Sequence, residues 1–245
     1  MPIFDQPLYA LTDASNVMIG GKEPGLVERD LADGIARIGG FWRQPNYFEA
    51  YLHAAELLID KGKETGSLDA IGLPGFYLQR HTIELMIKGI LGWLTYIADL
   101  RFELGRSTYR PSKRMLEAIN RSHNLKVLLD HSITASSQQD LPSPPDGLVS
   151  LIHDMIKIES TETWSRYSSS SKKNGEETPV SISHVQHIPC EIVIPICEFQ
   201  RRLSEVARQV SSRKLGGESY EDDLHEVWSE LNATVEGWND VRIVR

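Results

Sequence analysis

The stretch Phe76-Tyr77-Leu78-Gln79-Arg80-His81-Thr82-Ile83-Glu84-Leu85-Met86-Ile87-Lys88-Gly89-Ile90-Leu91 decides the fold. At about 100° per residue, Arg80, Glu84, Lys88, His81 and Tyr77 fall within one arc of about 100°. Leu78, Ile83, Leu85, Met86, Ile90, Trp93, Leu94 and Ile97 fill the wide remainder. A helix so apolar on most sides belongs at the centre of a bundle, and its polar stripe faces a cleft or an interface. The i,i+4 spacing of Arg80–Glu84 and Glu84–Lys88 equally suits ion pairs along a solvated face, each contributing about 0.3–0.5 kcal/mol. Buried, the same pairs need full hydrogen bonding, because an unpaired charge is expensive inside a protein. Gly89 and Gly92 lower the helix propensity, and are expected to admit a neighbouring helix rather than break this one.

Periodicity predicts helices on both sides of this one, which itself is expected from Phe76 to about Arg101. One runs from about Asn46 to Lys61, with Phe48, Tyr51, Leu52, Ala55, Leu58 and Ile59 on one face. Asn46 is expected to cap it and Gly62 to stop it. A linker with Gly66, Gly72, Pro74 and Gly75 would follow. Further helices are expected over His123–Ala135, Gly147–Glu159, Pro195–Lys214 and Tyr220–Trp238. In the last, Leu224, Trp228, Leu231 and Val235 form the apolar stripe. Glu191 to Ile196 suits either a short strand or the start of a helix. The first 45 residues, with Gly20-Gly21, Pro24-Gly25, Gly39-Gly40 and Pro45, read as an irregular arm. Leu26–Ile38 is expected there as a short helix and Leu8–Leu11 as a short strand. Ser160–His187 is a long polar segment, and 168–187 is expected to be a mobile loop. The expected fold class is all-α: a single helical bundle over residues 46–245, with the N-terminal arm 1–45 and the long polar loop.

Composition sets outer bounds. The chain has 245 residues, 34 acidic against 26 basic, a net charge of −8, and 40% apolar residues. A packed core is affordable and a wholly disordered chain is excluded. The acidity excludes coating of DNA by bulk charge. It is uneven, however. Residues 101–126 carry the cations Arg101, Arg106, Arg110, Lys113, Arg114, Arg121 and Lys126 against Glu103 and Glu117 alone. Phe102, Tyr109 and His123 are interleaved there and can stack on unpaired bases. No run of 18 apolar residues and no basic-then-apolar N-terminus stand in the sequence, so no membrane association and a cytoplasmic location are expected. Cys190 and Cys197 are too few for a disulfide framework and are expected as free, largely buried thiols.

The segment Arg80-His81-x-x-Glu84-Leu85-x-x-Lys88, followed by His123-Asn124-Leu125-x-x-Leu128-Leu129 and then by Arg166-Tyr167, resembles the helical HEPN superfamily. The resemblance covers roughly Asn46 to Tyr167, and the C-terminal helices loosely. It implies a helical bundle, a homodimer, and a place in a bacterial defence or toxin–antitoxin locus beside a partner protein. It also implies metal-independent RNA cleavage, which in that family goes with an Arg separated from a His by four to six residues. Here Arg80 and His81 are adjacent, and no such spacing stands in the corresponding region. Two readings therefore follow: a ribonuclease built from other residues, or a catalytically silent module that binds a nucleotide, a nucleic acid or a partner protein.

Metal-free RNA cleavage needs a base near neutrality for the 2′-hydroxyl and a cation facing the phosphorane; histidine and arginine suit these tasks. The candidates are His81 and His123 as acid or base, Arg80 and Arg166 as phosphate clamps, and Glu84 as the group that orients them. Lys88, Arg110, Arg114, Arg121 and Tyr167 are candidates for binding phosphate or nucleic acid. Each has a plainer reading: His123 as part of a helix cap, Arg166 as a partner of Glu84, Tyr167 as packing. No metal and no cofactor are expected. His184-x-x-His187 lacks further ligands, and Gly20-Gly21-Lys22-Glu23-Pro24-Gly25 lacks the ending of a phosphate loop.

Overall fold

The computed structural model describes residues 24–34, 48–159, 169–174, 181–187, 190–211 and 218–243. The chain divides into two units, Met1–Tyr47 and Phe48–Arg245. In the first, the described part is helix α1 (Pro24–Asp33), closed by Gly34 at φ +66°. Proline at the first helical position and glycine just past the last are the favoured ends of a helix. The expected strand at 8–11 and the Asn46 cap lie outside the described residues.

The second unit is an all-α bundle: α2 (Phe48–Thr65), α3 (Leu68–Glu103), α4 (Lys113–Arg121), α5 (Leu125–Gln138), α6 (Asp146–Ile158), α7 (Ile196–Val210) and α8 (Tyr220–Ile243). Strands β1 (Ser169–Asn174) and β2 (Ser181–Gln186) lie between α6 and α7 and pair antiparallel, from Ser169 opposite Gln186 to Asn174 opposite Ser181. That ribbon stands where a loop was expected. β1 is polar throughout, so nothing in its composition signals a strand; the ladder rests on backbone hydrogen bonds, which need no apolar side chain.

α3 is the axis of the bundle, about 54 Å long at 1.5 Å per residue. Helices α2, α5, α7 and α8 pack around it. Ile83, Met86, Ile87, Ile90, Leu91, Leu94 and Ile97 are fully buried on it. Each such side chain contributes about 1.5–3 kcal/mol of transfer free energy. Buried amides tie the layers together. Gln79 Nε2 donates to Ile196 O (2.9 Å) and Gln200 Oε1 (3.1 Å), while Gln200 Nε2 donates to Leu52 O (3.3 Å). This joins α3, α7 and α2.

The boundary of α2 and α3 differs from the expectation. Gly62 does not stop α2, and Gly72, Pro74 and Gly75 are not a linker. Two residues separate the helices, Gly66 and Ser67. Gly66 takes φ +64°, Ser67 N–H donates to Gly62 O (2.8 Å), and Gly66 N–H donates to Lys63 O (3.3 Å). This is the paired bonding of a left-handed helix terminus. Gly105 closes α3 in the same way, with Arg106 N–H on Arg101 O. Pro74 sits early in α3, where it removes one hydrogen bond without ending the helix. The interior glycines answer to packing. A Cβ on Gly62 would lie 2.6 Å from Ile71 Cγ1, and one on Gly75 3.1 Å from Ile196 Cδ1. Gly89 faces α8, where a Cβ would lie 3.2 Å from Glu221 Oε1, whereas a Cβ on Gly92 would meet nothing within 4 Å.

Two glycine substitutions should therefore move stability in opposite directions. Gly62→Val is expected to cost about 1–3 kcal/mol by overpacking against Ile71. Gly92→Ala is expected to gain about 0.5–1 kcal/mol from helix propensity alone. Urea unfolding curves of both variants beside the wild type check this.

Candidate functional site

Residues 80, 84 and 88 recur one turn apart on α3, so their side chains form one row. The row meets the start of α5 and the end of α6. Arg80 Nη1 donates to Glu84 Oε2 (2.9 Å), and Lys88 Nζ donates to Glu84 Oε1 (2.9 Å). From the loop before α5, His123 Nδ1 lies 2.9 Å from Glu84 Oε1. Arg80 Nη2 donates to the backbone carbonyl of His123 (2.6 Å), and Arg80 Nε donates to Glu159 at the end of α6. Side-chain exposure grades outward through this cluster: 3% for Arg80 and Glu84, 9% for Glu159, 18% for Lys88 and 40% for His123.

Burial by itself pushes the Glu84 carboxyl up. The hydrogen bonds and charges of Lys88 and His123 outweigh it and bring the group from 4.5 down to about 2. Glu84 is thus ionised at neutral pH and can only accept hydrogen bonds. Nδ1 of His123 must then carry a hydrogen, and in the neutral ring Nε2 is the nitrogen left to take a proton. Nε2 has no hydrogen-bond partner among the described residues.

The loop before α5 is pinned at several points. Ser122 Oγ accepts from Asn124 N–H (3.1 Å), and Asn124 Oδ1 accepts from Val127 N–H (3.1 Å) as the N-cap of α5. Asn124, and not His123, is therefore the capping residue. His123 is held at both ends, its carbonyl by Arg80 and its ring by Glu84.

The structure brings together Arg80, Glu84, Lys88 and His123 from the sequence candidates. Arg80 is not placed as a phosphate clamp. All three of its nitrogens donate within the protein, and its side chain is closed to water. His81 stands in a different environment. Its ring meets Tyr51 edge-on at 4.5 Å and stacks on Tyr77 at 5.8 Å. Arg166 and Tyr167 lie outside the described residues. Glu159 belongs to the cluster and was missed from sequence. Its signal was an acidic side chain at the negative end of a helix dipole, a placement that calls for a cation.

The remaining basic candidates, Arg110, Arg114 and Arg121, are exposed. Arg110 donates to Asp99 Oδ1 (3.3 Å) and lies 5.1 Å over the Phe102 ring. Arg114 and Arg121 are exposed on α4, whose Met115 is buried. Neither arginine pairs with a described acidic residue. Among the described residues, no group of three His, Cys, Asp or Glu is placed to hold a metal ion. His187 is buried, and the side chain of His184 lies outside the described residues. Both cysteines are exposed, not buried: Cys190 stands on the irregular segment before α7, and Cys197 in the first turn of that helix. No helix among the described residues is long and apolar enough to cross a membrane. Compared with protein-family models, with curated proteins and with solved structures, the chain finds no match.

The Glu84 pKa has a direct consequence for stability. It lies below the unfolded-state value, so its contribution is present above pH 4.5 and is lost as pH falls towards 2. The shift corresponds to on the order of 3 kcal/mol. Glu84→Gln, which removes the buried negative charge between Arg80 and Lys88, is expected to lower the unfolding free energy at neutral pH by about 3–5 kcal/mol. The gap to wild type should narrow between pH 4.5 and 2 in urea titrations. A gap that stays constant across that window would place the stabilisation elsewhere.

Proposed function

We propose that the chain is a HEPN-like protein that acts on RNA, with His123 as the base of a metal-independent phosphodiester cleavage. The observation that carries this reading is the pairing of Glu84 with His123 at the mouth of an otherwise closed polar cluster. A buried, ionised carboxylate holds Nδ1–H, and the ring is 40% exposed with Nε2 unengaged among the described residues. A carboxylate behind a histidine selects the tautomer and stabilises the imidazolium that forms on proton uptake.

In this reading Nε2 takes the proton of a ribose 2′-hydroxyl, and O2′ attacks the adjacent phosphorus. The P–O5′ bond breaks, O5′ leaves with a proton from water, and a 2′,3′-cyclic phosphate remains. Arg114 and Arg121 on α4 and Arg110 beside Phe102 supply phosphate and base contacts along the strand. Arg80 and Glu159 act only by positioning His123. The reading carries with it a cytoplasmic homodimer encoded beside a partner protein in a bacterial defence or toxin locus.

One observation favours the second reading, a catalytically silent module that binds nucleotide, nucleic acid or a partner protein. Arg80, the arginine of the stripe, is fully engaged within the protein and is not free to face a phosphorane. A single experiment separates the two. Single-stranded RNA is incubated in chelator with the wild type, His123→Ala and His81→Ala, and products are assayed for cyclic phosphate ends. Cleavage by the wild type should fall by about 10²–10⁴-fold in His123→Ala. It should persist in His81→Ala, whose ring lies among tyrosines. Identical background from all three proteins removes the nuclease reading.

Binding is tested in parallel. Arg114→Glu with Arg121→Glu should weaken RNA binding and flatten its dependence on salt by about one unit of slope per lost contact.

A further inference from the structure

The exposed side of α3 carries an open strip that the bundle does not use. Gly89, Gly92, Tyr96 and Asp99 follow one another at three- and four-residue spacing, so they share one face. A Cβ on Gly92 would meet no atom within 4 Å, and one on Gly89 only Glu221 Oε1. Bare backbone at Gly92 is thus presented to the outside on a helix whose residues are mostly buried or half-buried. Two glycines inside a helix cost about 0.5–1 kcal/mol each relative to alanine, and at Gly92 no packing within the described bundle requires it.

The strip has an aromatic wall. The Trp93 ring lies 5.4 Å from His225, 5.8 Å from Trp228 and 6.4 Å from Tyr96, edge to face in each case. Tyr96 is 61% exposed. Tryptophan and tyrosine grouped in this way are typical of the residues that dominate binding energy at protein interfaces. The rim is acidic. Glu221 reaches over Gly89, and α8 exposes Asp222, Asp223 and Glu226 beside His225; at the far end Glu103 is exposed, while Asp99 accepts from Arg110. The cation on this side of α3 at the near end, Lys88, is directed at Glu84.

We infer that this groove binds a cationic amphipathic helix of a partner protein. Small and aliphatic side chains of that helix lie along Gly92, where the missing Cβ lets the two backbones approach. Its arginines or lysines reach the faces of Trp93 and Tyr96 and the exposed carboxylates of Asp223 and Glu226. Charge selects this occupant over a second copy of the chain. Isologous pairing brings the same patch against itself and sets one acidic rim against another.

The test uses the full chain and a tryptophan-free helical peptide of about 18 residues, long enough to hold its helix. Leucine and alanine occupy one face and arginine the flanks; a second peptide carries glutamate in place of arginine. Binding is followed by the fluorescence of the protein's tryptophans and by calorimetry. The arginine peptide should bind saturably with one site per chain, and the glutamate peptide should not bind. Gly92→Leu adds a side chain where a Cβ meets no atom within 4 Å, and its unfolding curve checks that it folds. That variant and Tyr96→Ala should each weaken the arginine peptide by about tenfold or more.

Equal affinity for wild type and Gly92→Leu would overturn the inference, as would equal binding of the two peptides. Self-association of the peptide-free chain that Gly92→Leu abolishes would also overturn it, since the occupant would then be a second copy. RNA binding and cleavage are read on the same Gly92→Leu protein and should be unchanged, so the outcome at His123 and the outcome here are independent.

Discussion

One buried carboxylate organises this bundle. Glu84 stands on the central helix, closed to water, and accepts hydrogen bonds from Arg80, Lys88 and His123. An isolated carboxylate in that position would protonate or refuse burial. Three donors, two of them permanent cations, keep it ionised. Arg80 must in turn be balanced, and Glu159 at the end of α6 supplies the second negative charge. Two carboxylates thus meet two permanent cations, and α3, the start of α5 and the end of α6 are joined where their polar ends converge. Removing one member leaves a buried charge uncompensated, so the members stand or fall together.

The same network bears on what the site can do. Charges that neutralise each other inside are not available to a ligand outside. Arg80, the residue that sequence pattern alone favours for phosphate, is committed to the fold. His123 differs from the other members because it lies at the edge. Its main chain is immobilised by Arg80 and its ring by Glu84, yet the ring remains partly in solvent. A group oriented from behind and open in front is placed to exchange protons, whereas a group enclosed on all sides is placed to hold the structure.

Much of the architecture was legible in the sequence. The apolar width of Phe76–Leu91 marked α3 as central, and α5, α6, α7 and α8 lie close to where their periodicity put them. The errors fall on glycine and proline. Gly62 suggested a helix end, although its missing Cβ serves the contact with Ile71. Gly72, Pro74 and Gly75 suggested a linker, although the first turns of α3 accommodate them. Gly89 and Gly92 suggested a helix contact; Gly89 meets the Glu221 side chain of α8, and Gly92 faces outward. Glycine signals that something about a position is unusual; whether that is backbone conformation, close approach or open space depends on neighbours distant in sequence. The polar ribbon of β1 and β2 escaped for a related reason, since backbone pairing leaves no mark in a run of serine and lysine.

The sequence by itself determined the all-α class, the central place of α3, and the row Arg80–Glu84–Lys88, because helical periodicity is a local property written in side chains three and four apart. It also named His123, but not its role. Only the tertiary structure brought Glu159 and His123 to that row, separated from Arg80 by 79 and 43 residues along the chain. It alone decided that Arg80 is enclosed while His123 reaches solvent. Burial and charge pairing are sums over elements remote in sequence, and those sums, not the spacing within one helix, divide structural charges from functional ones.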